Sequence, residues 1–97
     1  MGMDKLKIQE LYKQINIVIP LIEQSYATRP TNMLALIKKR YYHAKKLIES
    51  TPFEDLKKES FSISGGIKAY LDSASDYMNP MLGEMNKAEQ VFKDAFK

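Results

Sequence analysis

No cysteine occurs among the 97 residues. That removes a disulfide framework, thiolate chemistry and every cysteine-based metal site, and it fits a reducing compartment such as the cytoplasm. The single histidine, His43, sits among lysines and an arginine that oppose its protonation, with no carboxylate near it in sequence. A histidine so placed is a poor general base, and with no cysteine and no complete set of metal ligands the chain is not expected to be an enzyme. Long apolar runs are missing too. The longest mostly apolar stretch, Ile15 to Ile22, is interrupted by Asn16 and Pro20, and it falls far short of the roughly 20 residues a membrane span needs. The opening Met1-Gly2-Met3-Asp4-Lys5-Leu6-Lys7 lacks an apolar signal core, and Leu6 stands where a myristoylation signal wants Ser or Thr.

Glycine-rich phosphate loops are likewise absent. Gly65-Gly66 is the one glycine pair, but its flanks match neither a P-loop nor a dinucleotide fingerprint and no strand precedes it, so it reads as a flexible turn. Paired carboxylates are scarce. Asp72 and Asp76, four apart, offer too few oxygens for calcium, and Asp72 is placed to pair with Lys68 across one helical turn. No metal, cofactor or small-molecule substrate is implied.

What is present is an ordinary globular balance, 44% hydrophobic and 28% charged residues, with a net charge of +3. Such a chain has enough apolar surface for one modest core, residues 1–97 forming a single helical domain. The apolar residues recur with helical period. Ile8, Leu11, Ile15, Val18 and Ile22 alternate steps of three and four, with Tyr12 and Ile19 widening the stripe. A strand at Ile15–Ile19 would have nothing to pair with, so the reading is a helix over about 4–26, kinked at Pro20. After the short 27–30 connection, Thr31 or Asn32 caps a second helix to about residue 50, whose stripe is Met33 or Leu34, Ile37, Tyr41, Ala44 and Ile48, with Leu47 beside it. A loop this short makes the two helices an antiparallel pair.

Thr51-Pro52-Phe53-Glu54 carries a capping residue, a proline at the first helical position and a glutamate three after the cap. Ser60, Ser62, Ser64, Gly65 and Gly66 soon stop it, leaving a short helical turn at about 52–58 held down by Phe53, Leu56 and Phe61. The last segment steps four, three, four, three through Ile67, Leu71, Ala74, Met78, Met81, Met85, Ala88, Phe92 and Ala95. Because this phase survives Pro80, one helix over about 64–96, bent at Pro80 and loosened by Gly83, is the first expectation. A four-helix bundle split at Asn79-Pro80 is the second. Either way the class is all-α, a small antiparallel helical bundle.

Three uninterrupted helices would measure roughly 35, 30 and 50 Å at about 1.5 Å per residue, so the third outruns its partners. Its surplus stripe must be covered by the 53–61 segment, by folding back at Pro80, or by another chain. Met78, Met81, Leu82 and Met85, with Tyr77 at the edge, are therefore the candidate protein interface, methionine being the apolar side chain that adapts best to varied partners. Ordinary core filling is the plainer explanation of the same methionines. A second candidate is the basic face of the second helix, where Lys38, Lys39, Tyr42, Lys45 and Lys46 lie opposite Ile37, Tyr41 and Ala44. It would contact phosphates and stack a base on Tyr42, or simply be a solvated helix face.

In size and class the chain resembles small bacterial helical adaptors and bacteriocin immunity proteins, a likeness of architecture that implies work by binding. The functional expectation is a non-enzymatic helical adaptor acting through protein–protein contacts, with a protein partner or a homo-oligomer formed along the third helix. A nucleic-acid-binding regulator using the second helix is the alternative.

Overall fold

The computed structural model describes residues 5–74 and 76–96. It contains α1 (Lys5–Thr28), α2 (Asn32–Ser50), two single 3-10 turns at Phe53–Asp55 and Lys58–Ser60, α3 (Gly66–Ser73) and α4 (Pro80–Ala95), and no strand among the described residues. The expected start of the first helix, at Asp4, lies outside the described residues. Among those described, no helix is long and apolar enough to cross a membrane.

α1 buries Ile8, Leu11, Ile15, Val18, Ile19 and Ile22, the stripe its spacing predicts, and runs unbroken through Pro20. The proline ring is exposed, so its clash with the preceding turn falls on the solvent side, where the backbone has room to yield. Arg29 to Thr31 reverse the chain. Thr31 Oγ1 then accepts from the Leu34 N–H at 3.1 Å, satisfying one of the amides that a helix start leaves open. α2 returns antiparallel, burying Leu34, Ile37, Tyr41 and Ala44. The register of the pair is set across its surface, where the Tyr12 hydroxyl donates to Glu49 and the Tyr42 hydroxyl to Glu23.

The helix expected at about 52–58 is replaced by the two 3-10 turns. Thr51 does not cap forward; its N–H bonds to the Leu47 carbonyl and closes α2, and Pro52 is extended (φ −55°, ψ 145°) rather than the first residue of a helix. The segment is anchored as its apolar residues predict. Leu56, Phe61 and Ile63 are buried, and Phe61 packs on Phe92 and Phe96 with ring centroids 5.3 and 5.5 Å apart.

The continuous third helix is corrected. α3 ends at Ser73, with Ala74 extended (φ −148°, ψ 135°), and α4 begins at Pro80 with Asn79 as its cap (φ −69°, ψ 123°). Asn79 Oδ1 accepts from the Met81 N–H at 2.9 Å. Pro80 lies where the missing N–H costs nothing, and the residue before a proline avoids helical geometry, so Asn79-Pro80 is a helix start instead of a bend. α3 is also rotated from the expected stripe: Gly66 and Tyr70 are buried while Ile67, Leu71 and Ala74 are half-buried at its edge. α4 buries Met81, Met85, Ala88, Phe92 and Ala95. It runs antiparallel to α1, the two making the most extensive helix pair, with Gln14 donating to the Glu84 carbonyl at 2.9 Å and to Oε1 of its carboxylate at 2.8 Å. α3 lies between α2 and α4.

At about 1.5 Å per residue the 16 residues of α4 span roughly 24 Å, well inside the roughly 36 Å of the 24-residue α1. Folding back between α3 and α4 therefore closes the overhang that an unbroken third helix would have left.

Candidate functional site: the groove at the α3–α4 junction

Four chain segments meet at one end of the bundle: the last turn of α1, the reversal into α2, the end of α3, and residues 76–79 ahead of α4. They enclose an open groove of about 670 Å³. Leu21, Leu34, Ala74, Met78 and Pro80 give it apolar surface; Ser25, Arg29, Tyr70, Asp76 and Asn79 give it polar groups. Gln24, Thr28, Thr31 and Ser73 add further polar surface, so the groove is a concavity of mixed apolar and polar lining.

Ser25, Tyr70, Asp76 and Asn79 form one hydrogen-bond network. Asn79 Nδ2 donates to Ser25 Oγ on α1 at 3.0 Å and to Asp76 Oδ2 at 2.9 Å, while the Tyr70 hydroxyl donates to the same Asp76 oxygen at 2.8 Å. Asn79 thus caps α4 with its oxygen and ties the connection to α1 with its nitrogen. The donors hold the Asp76 carboxyl below the usual carboxylate range, Asn79 most, then Tyr70, with the Arg29 guanidinium acting the same way against partial burial. Burial and the bond to Asp76 push Tyr70 up. Asp76 is therefore ionised at neutral pH with its proton affinity reduced, the reverse of what a general acid or base requires.

Met78 stands beside the groove with 92% of its surface exposed, and Tyr77 with 66%. Of the candidate interface, only these two are fully outward. Met81 and Met85 are at 0% exposure within a single copy and Leu82 is half-buried, which corrects an interface along the third helix: these methionines fill the core against α1. The connection takes Met78 out of the stripe because it belongs to neither helix.

The basic face of α2 carries a carboxylate that its own sequence does not show. Glu23 of α1 pairs with Lys38 at 3.9 Å and accepts from Tyr42, and Lys38 Nζ lies 5.4 Å from the Tyr26 ring centroid. The bond to Glu23 also raises the Tyr42 pKa. Lys39 and Lys46 remain exposed and Lys45 half-buried. His43 is exposed on the same helix. Asp72 and Asp76 do not share a helix face, since α3 ends between them, and Lys68 and Asp72 form no ion pair among the described residues.

The Gly65-Gly66 amides are occupied from within the fold. Glu89 on α4 accepts from the Gly65 N–H at 3.2 Å through Oε1 and from the Ile67 N–H at 3.1 Å through Oε2. Gly65 has φ +82°, which favours glycine. At Gly66 a Cβ would come within 3.2 Å of the Met85 terminal methyl.

Sequence reasoning missed Ser25, Arg29, Tyr70, Asp76 and Asn79 as a group. Asn79-Pro80 was the available signal, because a helix start there forces a reversal and brings Asp76 back over α1.

Residues 6–97 match the family described as YeeD uncharacterised protein. The chain is 43% identical over 90 residues to the uncharacterised protein YeeD of Bacillus subtilis (strain 168), the match covering 89% of each chain. No solved structure matches it. A family match across nearly the whole chain, together with a relative this similar over this length, makes the protein a member of the YeeD family.

Proposed function

We propose that this chain is a small non-enzymatic helical binding protein, an adaptor working through protein–protein contacts, and that its partner-facing surface is the groove end built on residues 74–80. The observation that carries this reading is the exposure of Met78, at 92%, at the wall of an open groove, in a chain whose other stripe methionines are buried. Exposed apolar side chains grouped around a concavity mark interaction sites, and methionine adapts to the shape it meets. The composition of the groove points the same way. Tyrosine, methionine and arginine, which interfaces favour, line it together with Asp76 and two serines. Asp76, spent on Asn79 and Tyr70, supports a binding role over acid–base chemistry. A cytoplasmic setting goes with this reading on the strength of the cysteine-free sequence.

The experiment is affinity capture from cells with three tagged forms, followed by mass spectrometry: the wild type, Met78→Glu, and Lys39→Glu on the remote face of α2. The wild type and Lys39→Glu should recover the same partner and Met78→Glu should lose it. Equal recovery by Met78→Glu would place the contact elsewhere and sink the proposal.

A further inference from the structure

The groove end sets a protruding apolar side chain beside a recess. Met78 protrudes and the groove recedes, and Met78 itself forms part of the groove wall, so projection and recess lie side by side. Arg29 and Asp76 supply opposite charges at the same rim. An isologous interface requires one surface to carry both a projection and a recess, so that a two-fold axis can seat each copy's projection in the other's recess.

The connection is also held ready for contact. Asn79 bonds to Ser25, Asp76 and the Met81 amide at once, and Tyr70 fixes Asp76 from α3. Ordering Met78 therefore costs little at the moment of binding, because the backbone on both sides of it is already tied down.

Resting on the reading that this end is the binding surface, we propose that its occupant is a second copy of the chain: two molecules meet end to end, each Met78 entering the other's groove and each Arg29 facing the other's Asp76. A standard interface takes about 800 Å² from each partner, roughly an eighth of this chain's 6147 Å² surface, and one end of a bundle with extents of 39 × 21 × 19 Å offers somewhat less. The dimer is accordingly a weak one, in the micromolar range or above.

Sedimentation equilibrium of the full chain from about 10 µM to about 1 mM reads this directly. The expected result is a mass rising from one chain toward two, with Met78→Glu and Arg29→Glu each raising Kd at least about tenfold and Lys39→Glu leaving it unchanged. Met78 and Arg29 are exposed, so both variants should fold, which circular dichroism verifies. Amide chemical shifts provide the second readout: their concentration dependence should be confined to residues 21–34 and 70–82. A single-chain mass at every concentration overturns the dimer, as does a dimer indifferent to both substitutions. Neither result touches the binding-surface reading by itself. A monomer that still captures a different protein in a Met78-dependent way overturns self-association and leaves that surface standing, whereas loss of Met78 dependence in both experiments removes both.

Discussion

The carboxylate of Glu89 on α4 holds the N–H of Gly65 at 3.2 Å, capping a helix to which it does not belong. α3 has only 8 residues and no side-chain cap of its own, too few to be stable alone. It depends on this bond, on the companion bond to Ile67 and on Tyr70 in the core. Glu89→Ala should cost about 1–2 kcal/mol, since two amides lose their acceptor at once. Denaturant unfolding gives the total, and hydrogen exchange should show the loss of protection concentrated in 65–70. Uniform loss across the chain would show that Glu89 does not act through α3.

Pro20 and Pro80 should respond in opposite ways to the same substitution. Pro20 lies inside α1 and Pro80 at the first residue of α4. Pro20→Ala restores a hydrogen bond and removes a clash, and should stabilise by on the order of 1–3 kcal/mol. Pro80→Ala should be neutral or slightly destabilising, because the ring there is pre-set for a helix start and restricts the unfolded chain. Thermal unfolding of the two variants side by side tests it; a large gain at Pro80 would mean that the ring strains the helix it begins.

Met78 and Met81 were one stripe in the sequence and are different environments in the fold. At 92% and 0% exposure, Met78→Ala should change stability by no more than about 0.5 kcal/mol, while Met81→Ala should cost about 2–5 kcal/mol through lost burial and a residual cavity. Comparable costs at the two positions would contradict the break between α3 and α4.

That pair shows what periodicity reveals and what it hides. The stripes of α1 and α2 were legible because each helix is long, capped or bounded by turn residues, and faces one core. In the last third the four-three phase runs on through Pro80 although only the α4 part of it is fully buried, Ile67, Leu71 and Ala74 lying at the core's edge and Met78 outside it, so shared phase cannot distinguish one helix from two. The local chemistry could: Asn before Pro is a cap and a first residue. The rotation of α3 was hidden as well, since only three-dimensional packing decides that Tyr70 goes in and Leu71 to the edge. The groove was beyond reach for a simpler reason. Ser25 and Asn79 stand 54 positions apart, and helical period says which face is buried but not which helix ends meet.

Tyr41 is the core's one flaw among the described residues. Its side chain is 1% exposed and its hydroxyl has no hydrogen-bond partner. Removing an unsatisfied buried group while keeping the ring should be neutral or stabilising, so Tyr41→Phe should gain up to about 1 kcal/mol. Burial, then the Glu89 charge, pushes Tyr41 ionisation well above its ordinary range. With the folded pKa raised, the stability tied to this group is full below the unfolded value of about 10 and is lost as pH rises through the folded one. Tyr41→Phe should therefore resist alkaline unfolding better than the wild type. Equal alkaline midpoints would show that the hydroxyl is not held neutral by the fold.

Acid should loosen the groove only once the pH falls below the range in which an ordinary aspartate titrates. Asp76 is held below its ordinary pKa by Asn79 first and Tyr70 second, so its contribution is present above the unfolded value of about 3.9 and disappears as pH falls through the lower folded one. Once protonated, Asp76 no longer accepts as a carboxylate from either donor, and the connection carrying Tyr77 and Met78 loses its tie to α3. Carboxyl chemical shifts followed against pH should show Asp76 titrating below an ordinary aspartate, and Asn79→Ala should return it most of the way toward that ordinary value. Tyr70→Phe should return it by less. A normal Asp76 titration in the wild type, or a larger effect from Tyr70 than from Asn79, would break this ordering and with it the account of how the α3–α4 connection is held.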